Sequence, residues 1–542
     1  MTRGKKIALV LLAVLLGAGA AAFISADVLL SRFARRCVDR ALATLPEAFG
    51  SASCGTIQIR LFSGTAGISD LRYEYRGEPL QPQDTLRPGA SVTINHIEIG
   101  RLFYSMLLHK ELVVSDLYIS EPRVELWLDE EHPERSFPTL PQDSTAQPKP
   151  FPLRQAVLWN LHLKNASLAL HSVRTQLDVA ADSLSLTIHD LSYDTAFHYC
   201  DSVYFLSLAH AAVLTPDSSM RIEARGLEQE NQGSLTLAST RIANTMPRNR
   251  LAEMVHEPVT WIDMRVGQVS VSPFNPVRKA LTKDLTLDTV TATVEHMEVY
   301  RDARYAPKEP FAMPQQILMA LPVSFAVSRV NAQLRKIDIS LATTEKNIGR
   351  LSLRKIRATV TDISNRKGAV MRVSGSCPVG KGKAQARFSM TMNSACDFSA
   401  SLHATDIPVS FLNPLVRPLV GITADCRLDT LDTEYRGDRK AANGIFCMQY
   451  KGLHVQVHKE DDIPYKVIQK HAKTFTALGN SLLTKSNPSS VDICPRAYHV
   501  AWTRNEWQPF PLYLFGPCID GVKKTFLPGL YVHTQVKHPK KK

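Results

Sequence analysis

The sequence predicts a mainly β protein: an elongated antiparallel sheet built from variable hairpin units, with an N-terminal transmembrane helix and a small helical part near the C-terminus. Three observations carry this. A single apolar run, Ile7 to Leu30, stands behind Arg3, Lys5 and Lys6. Beyond residue 50 the apolar positions recur with a period of two over several hundred residues, the signature of half-buried strands. Helical spacing returns only late, at Val467, His471, Phe475, Leu478 and Leu482, before Asn487-Pro488 stops it.

The apolar run is long enough for a helix to cross a bilayer, which takes roughly 20 residues, and its one charge, Asp27, lies near the far end. A cleavable signal peptide is the competing reading, with Ala20, Ala21, Ala22 and the pair Ser25-Ala26 as peptidase sites. The stretch exceeds the roughly 7 to 15 apolar residues of a signal core, which favours an uncleaved signal anchor. Flanking charge is nearly balanced, with Arg32, Arg35 and Arg36 on the far side. The free N-terminus and the large C-terminal body set the orientation, because long domains translocate largely regardless of charge. Residues 1–6 are therefore expected in the cytoplasm, 7–30 in the membrane and the remainder on the opposite side.

Residues 31–49 carry Phe33, Val38, Leu42 and Leu45 at helical spacing and read as a juxtamembrane helix ended by Pro46 and Gly50. An N-terminal β section, 50–131, follows, with Ile57, Ile59 and Leu61, then Val92, Ile94, Ile97 and Ile99. Residues 132–152 hold six prolines, from Pro133 to Pro152, and read as a Pro-rich linker and subdomain boundary. The main β section, 153–460, opens with Val157, Trp159, Leu161 and Leu163, and its apolar phase then flips to Ala166, Leu168 and Leu170. Such a flip predicts a bulge or a tight turn between paired strands. Period-two runs recur at Leu184, Leu186 and Ile188, at Val290, Ala292 and Val294, at Ile337, Ile339 and Leu341, and at Ile356, Ala358 and Val360. Segments starting at Val157, Val259 and Val323 share a β-branched start with an aromatic two positions on, at irregular spacing. That excludes a strict solenoid. Residues 461–542 form a helical and mixed C-terminal region in which Trp502 to Leu530 either packs on the sheet or meets a membrane interface.

With 542 residues, 44% of them hydrophobic, the chain has ample core material, and its formal charge of +13 favours anionic surfaces. No stripe of interleaved aromatic and basic residues points to nucleic acid, and Lys540 to Lys542 read as a solvated tail. The nine cysteines contain no C-x-x-C pair. Cys377 with Cys396, or Cys426 with Cys447, are candidate bridges, and small buried hydrophobes are the alternative. There is no H-E-x-x-H, no G-x-S-x-G, no phosphate loop and no dinucleotide fingerprint, so neither an enzyme nor a cofactor is expected. His454 and His458, ahead of Glu460, Asp461 and Asp462, read as a solvated strand face rather than a metal site. Asp129, Glu130 and Glu131 read as a solvated loop.

The sequence supplies one continuous apolar sheet face, which helices, a second sheet or a ligand with long apolar chains must cover. Helical material is scarce, so acyl chains are a candidate partner, with Trp159, Leu161, Leu186, Ile188, Ala292, Ile339 and Val360 on the apolar phase of their strands as the groove candidates. A sandwich whose sheets cover each other remains the alternative.

At this point the chain resembles the AsmA-like family of envelope proteins. The resemblance rests on the basic N-terminus and membrane helix, L-F-S-G-T-A-G-I-S-D-L from Leu61, V-T-I-N-H-I-E-I-G-R-L from Val92, and L-V-V-S-D-L-Y-I-S-E-P-R-V-E-L from Leu112. The stretch M-Q-Y-K-G-L-H-V-Q-V from Met448, the Asn487-Pro488 stop and the segment Gly516 to Thr525 are similar to the closing region of smaller members. The resemblance implies a single-pass anchor in the bacterial inner membrane and a periplasmic, groove-like β structure related to bridge-type lipid transporters. It also implies a non-enzymatic role with phospholipid or another acyl lipid, in transport to the outer membrane or its assembly, with outer-membrane assembly partners. A structural scaffold for outer-membrane or surface-glycan biogenesis, without lipid carriage, is the alternative.

Overall fold

The structure, a computed structural model, describes residues 26–44, 49–61, 63–79, 86–102, 109–129, 132–137, 154–174, 177–193, 197–215, 218–230, 233–274, 285–321, 324–458, 472–490, 492–527 and 534–535. The chain is mainly β and divides into two compact units, residues 1–238 and 239–542. The expected anchor, Ile7 to Leu30, lies outside the described residues except for its last five, which begin helix α1 at 26–43. Among the described residues no helix is long and apolar enough to cross a membrane.

In the first unit β1 (Ser51–Ser53) and β2 (Ile57–Arg60) both pair with β3 (Thr65–Arg76), which pairs with β4 (Gly89–Ile99). One edge of β4 is shared by β5 (Glu111–Ser120) and β6 (Arg123–Leu128). Strand β7 (Gln155–Ser172) runs parallel to both, then β8 (Asp178–Tyr193), β9 (Phe197–Leu214) and β10 (Met220–Glu230) follow as antiparallel neighbours. Helix α1 is tied to β2, where the Leu61 and Ile59 amides donate to Asp27 Oδ1 and Ser31 Oγ, each at 2.8 Å.

Strand β11 (Leu235–Asn244) crosses the boundary between the units, and helix α2 (Arg248–Val255) follows it. The second unit pairs β12 (Val259–Ser272) with β13 (Leu285–Asp302), and β13 in parallel with β14 (Phe325–Ala342). An antiparallel run then continues through β15 (Ile348–Ser364), β16 (Val370–Val379), β17 (Gly382–Thr391), β18 (Phe398–Pro408), β19 (Ile422–Gly437), β20 (Ala441–Val457), β21 (Arg496–Thr503) and β22 (Thr534–Gln535). Helices α3 (Pro314–Met319), α4 (Asn413–Val420), α5 (Ala472–Leu482) and α6 (Phe510–Phe526) interrupt or close this run.

The expected purely antiparallel sheet is corrected in two places, β5/β6 against β7 and β13 against β14. Alternation reads the same in either direction, whereas parallel neighbours require a long crossover connection. The segments 129–154 and 303–324 supply those crossovers, so strand pairing within the first unit spans the Pro-rich stretch. The phase flip in β7 is a bulge rather than a turn. Register with β8 shifts between Leu163 and Ala166, and Asn165 sits there at φ 51°, the left-handed region that Asn tolerates.

Buried apolar clusters lie in the second unit, where α6 covers β18 to β21. Tyr513 meets Phe398 edge-on at 5.5 Å between ring centroids, and Phe526 meets Tyr450 at 5.4 Å. Close approach needs glycine at two helix positions: a Cβ on Gly521 would stand 2.1 Å from Phe446 Cγ, and one on Gly516 2.3 Å from the Trp502 ring. Gly521→Val is therefore expected to cost about 1–3 kcal/mol by overpacking, read as a lowered urea midpoint; an unchanged midpoint would mean that α6 does not pack as described.

Two carboxylates close the strands that precede the crossovers, and both are fully buried. Asp129, at the end of β6, is not the solvated loop residue expected from its acidic neighbours: Arg174 Nε approaches it to 2.6 Å and Arg135 to 3.6 Å. Asp302, at the end of β13, takes Arg304 Nη2 at 2.7 Å. A charge is held inside only when such a partner repays its lost hydration. Cys37, Cys54, Cys377, Cys396, Cys426, Cys447, Cys494 and Cys518 are free, with Cys54, Cys396, Cys426 and Cys447 buried as small hydrophobes, and burial pushes the Cys426 thiol up to about 12.

Candidate functional site

Register turns the period-two pattern into continuous apolar rows. In the first unit Ile57, Ile68, Ile97, Ile119, Leu163, Leu186 and Leu206 stand directly opposite one another across successive strands. A second row runs through Ile59, Ala66, Ile99, Leu117, Leu161 and Ile188. At about 4.8 Å per strand the first row makes a stripe about 30 Å long, close to the thickness of a bilayer's hydrocarbon core. Of these thirteen side chains only Ile188 is buried; the other twelve keep part of their surface open.

The second unit repeats the arrangement with an internal control. Val290, Val330, Val360, Val373 and Phe388 form a row that continues into Ala400 and Tyr435. The first five are half-buried, whereas Ala400 at 8% and Tyr435 at 4% are sealed beside α6. One face of one sheet is thus covered by a helix at one end and partly open along the rest.

The opposite faces are polar. In the first unit Asn160 donates to Asp116 Oδ1 at 2.8 Å, His189 Nδ1 lies 2.6 Å from Asn160 Oδ1, and Tyr118 stacks on His162 with centroids 4.6 Å apart. Burial raises the Asp116 pKa, but hydrogen bonds from Ser115, Asn160 and His162 outweigh it and hold the group below its ordinary value. In the second unit Gln333, Arg357, Ser376, Gln385, His403 and Asp432 form one polar row. Asp338 shows the same balance: burial pushes its pKa up, and bonds from Lys336, His296 and Ser352 bring it down to about 2. A pocket of about 480 Å³ beside α2 holds Arg248, Arg304, Tyr300 and Ser340, with Arg248 committed to Glu298 at 2.7 Å and Arg304 to Asp302. Such cations are spent on structure rather than aimed at a ligand.

Of the residues expected to line a groove, four lie in the first unit and three in the second. Leu161 faces Ile188 directly, Leu186 faces Leu163, and Trp159, on the same phase of β7, is 44% exposed. Ala292 stands between Val269 and Ala332, Ile339 between Val299 and Leu351, and Val360 between Val330 and Val373. Sequence reasoning missed how far the first row extends through Ile68, Ile97 and Ile119, since alternation marks the face of a strand but not its neighbour. His454 is exposed on β20, and His458 Nε2 lies 2.8 Å from Thr423 Oγ1.

Comparison of the chain with protein-family models, with curated proteins and with solved structures returned no match in any of the three. What defines the protein's class is its own architecture: amphipathic mixed sheets whose apolar faces are only partly covered.

Proposed function

We propose that the chain is a non-enzymatic lipid-handling protein of the AsmA-like kind, anchored in the bacterial inner membrane with its body in the periplasm. Its apolar sheet faces hold acyl chains in a groove-like trough, in the transport of phospholipid or another acyl lipid to the outer membrane or in that membrane's assembly. The observation that carries this reading is the half-open row from Ile57 to Leu206. Contiguous apolar surface left partly open in this way is costly in water and marks a place where a partner sits. Acyl chains suit it because they need no hydrogen bonds, and the row offers none.

Position-specific photocrosslinking tests the reading. A photoreactive side chain at Ile119, on the apolar row, should yield lipid adducts by mass spectrometry, and the same group at Thr187, on the polar face, should not. Adducts at neither position would favour a scaffold that assembles envelope components without carrying lipid.

A further inference from the structure

Helix α6 is apolar on both sides. Its inner side, with Tyr513, Gly516, Pro517, Gly521 and Thr525, is buried on the sheet. Its outer ridge is Leu512, Phe515 and Ile519, which are 44%, 55% and 41% exposed, and the next position on that ridge is Lys523. The spacing i, i+3, i+7, i+11 places the four on one narrow stripe, where a surface helix ordinarily carries polar residues. Trp507, just ahead of the helix, is 51% exposed. We propose that this ridge docks on the surface of an anionic phospholipid bilayer, with Leu512, Phe515, Ile519 and Trp507 in the interfacial layer and Lys523 at the level of the headgroups.

Three observations select a bilayer over other occupants. Trp beside an apolar helix ridge is the arrangement favoured at a membrane interface. The charge is complementary: α6 contributes Lys523 and Lys524, its one acidic residue, Asp520, is neutralised by Lys524 at 2.7 Å, and the whole chain carries +13. A second copy of the chain fits poorly, because four half-exposed side chains of about 200 Å² each offer only about 400 Å², against about 800 Å² per partner in a stable dimer. The inference concerns a different surface from the trough and does not depend on lipid carriage.

The full chain, reconstituted in phosphatidylcholine vesicles, is mixed with acceptor vesicles whose acyl chains are brominated, made with or without phosphatidylglycerol. Acceptors containing phosphatidylglycerol should quench tryptophan emission, and the quenched component should vanish in Trp507→Phe. The triple variant Leu512→Ser, Phe515→Ser, Ile519→Ser, all exposed positions, should keep its circular dichroism and bind these acceptors about tenfold or more weakly. Lys523→Glu should weaken binding to the anionic acceptors alone. Leu186→Glu, in the trough, should leave binding unchanged, so loss of lipid carriage and loss of docking read out separately. Equal binding by the triple variant, or no binding by the native chain, overturns the proposal. Self-association that the triple variant loses, without vesicle binding, overturns it in favour of a second copy.

Discussion

Replacing Leu186 with glutamate is expected to empty the first unit of bound lipid while leaving it folded. Leu186 stands between Leu163 and Leu206 toward the β9 end of the half-open row. A carboxylate there reaches water past the row, so the cost is the lost apolar contact, about 1 kcal/mol. An acyl chain lying across it would have to strip that carboxylate of water, which costs several kcal/mol. Lipid retained per protein, measured by mass spectrometry, should therefore fall to background while the urea midpoint shifts only slightly. Thr187→Glu, one residue away on the polar face, should change neither quantity. A sandwich closed over this face would instead bury the new charge, and the protein would unfold or fail to accumulate. A stable Leu186→Glu chain that keeps its lipid would count against the trough itself.

The second large effect is expected at Asp302 and Arg304. Asp302 is fully buried, and the hydrogen bond it accepts is the main influence raising the Arg304 pKa. Arg304→Met leaves a buried carboxylate without its cation and should cost about 3–5 kcal/mol. Adding Asp302→Leu removes the orphaned charge and should restore much of that loss, the non-additive pattern expected of a coupled pair. Additive losses in denaturant unfolding would show that the two side chains act independently.

These two sites also mark what one sequence can and cannot convey. Leu186 was legible because a strand with one face toward water alternates, and the same alternation announced Leu161, Ile188, Ala292, Ile339 and Val360. Neighbour relations were not legible: nothing within Val157 to Leu163 says that β5 lies alongside in parallel, because pairing is a property of two segments and the connection that joins them. Asp129 was misread for a related reason. In sequence it belongs to an acidic run, and its actual partner, Arg174, stands 45 residues away. The helix at Phe510–Phe526 was obscured by Pro511 and Pro517, although a proline in the first turn suits a helix start. Pro517 lies on the buried side of that helix, against the sheet.

The bulge at Asn165 has a counterpart at Ser183 in the adjoining strand and another left-handed position at Gly226 in β10. The first two let their strands each take in a single extra residue without turning the oily side to water, the step in one strand offsetting the step in the other. An insertion or deletion elsewhere in these strands would invert every side chain beyond it, exchanging leucines for lysines along the rest of the ladder. Gain and loss of single residues during divergence can thus survive only where a compact polar residue or glycine absorbs the extra step. Related chains should accordingly differ in strand length at such kinks and in loops, drifting in sequence until linear comparison no longer aligns them while the two-sided character of the sheet persists.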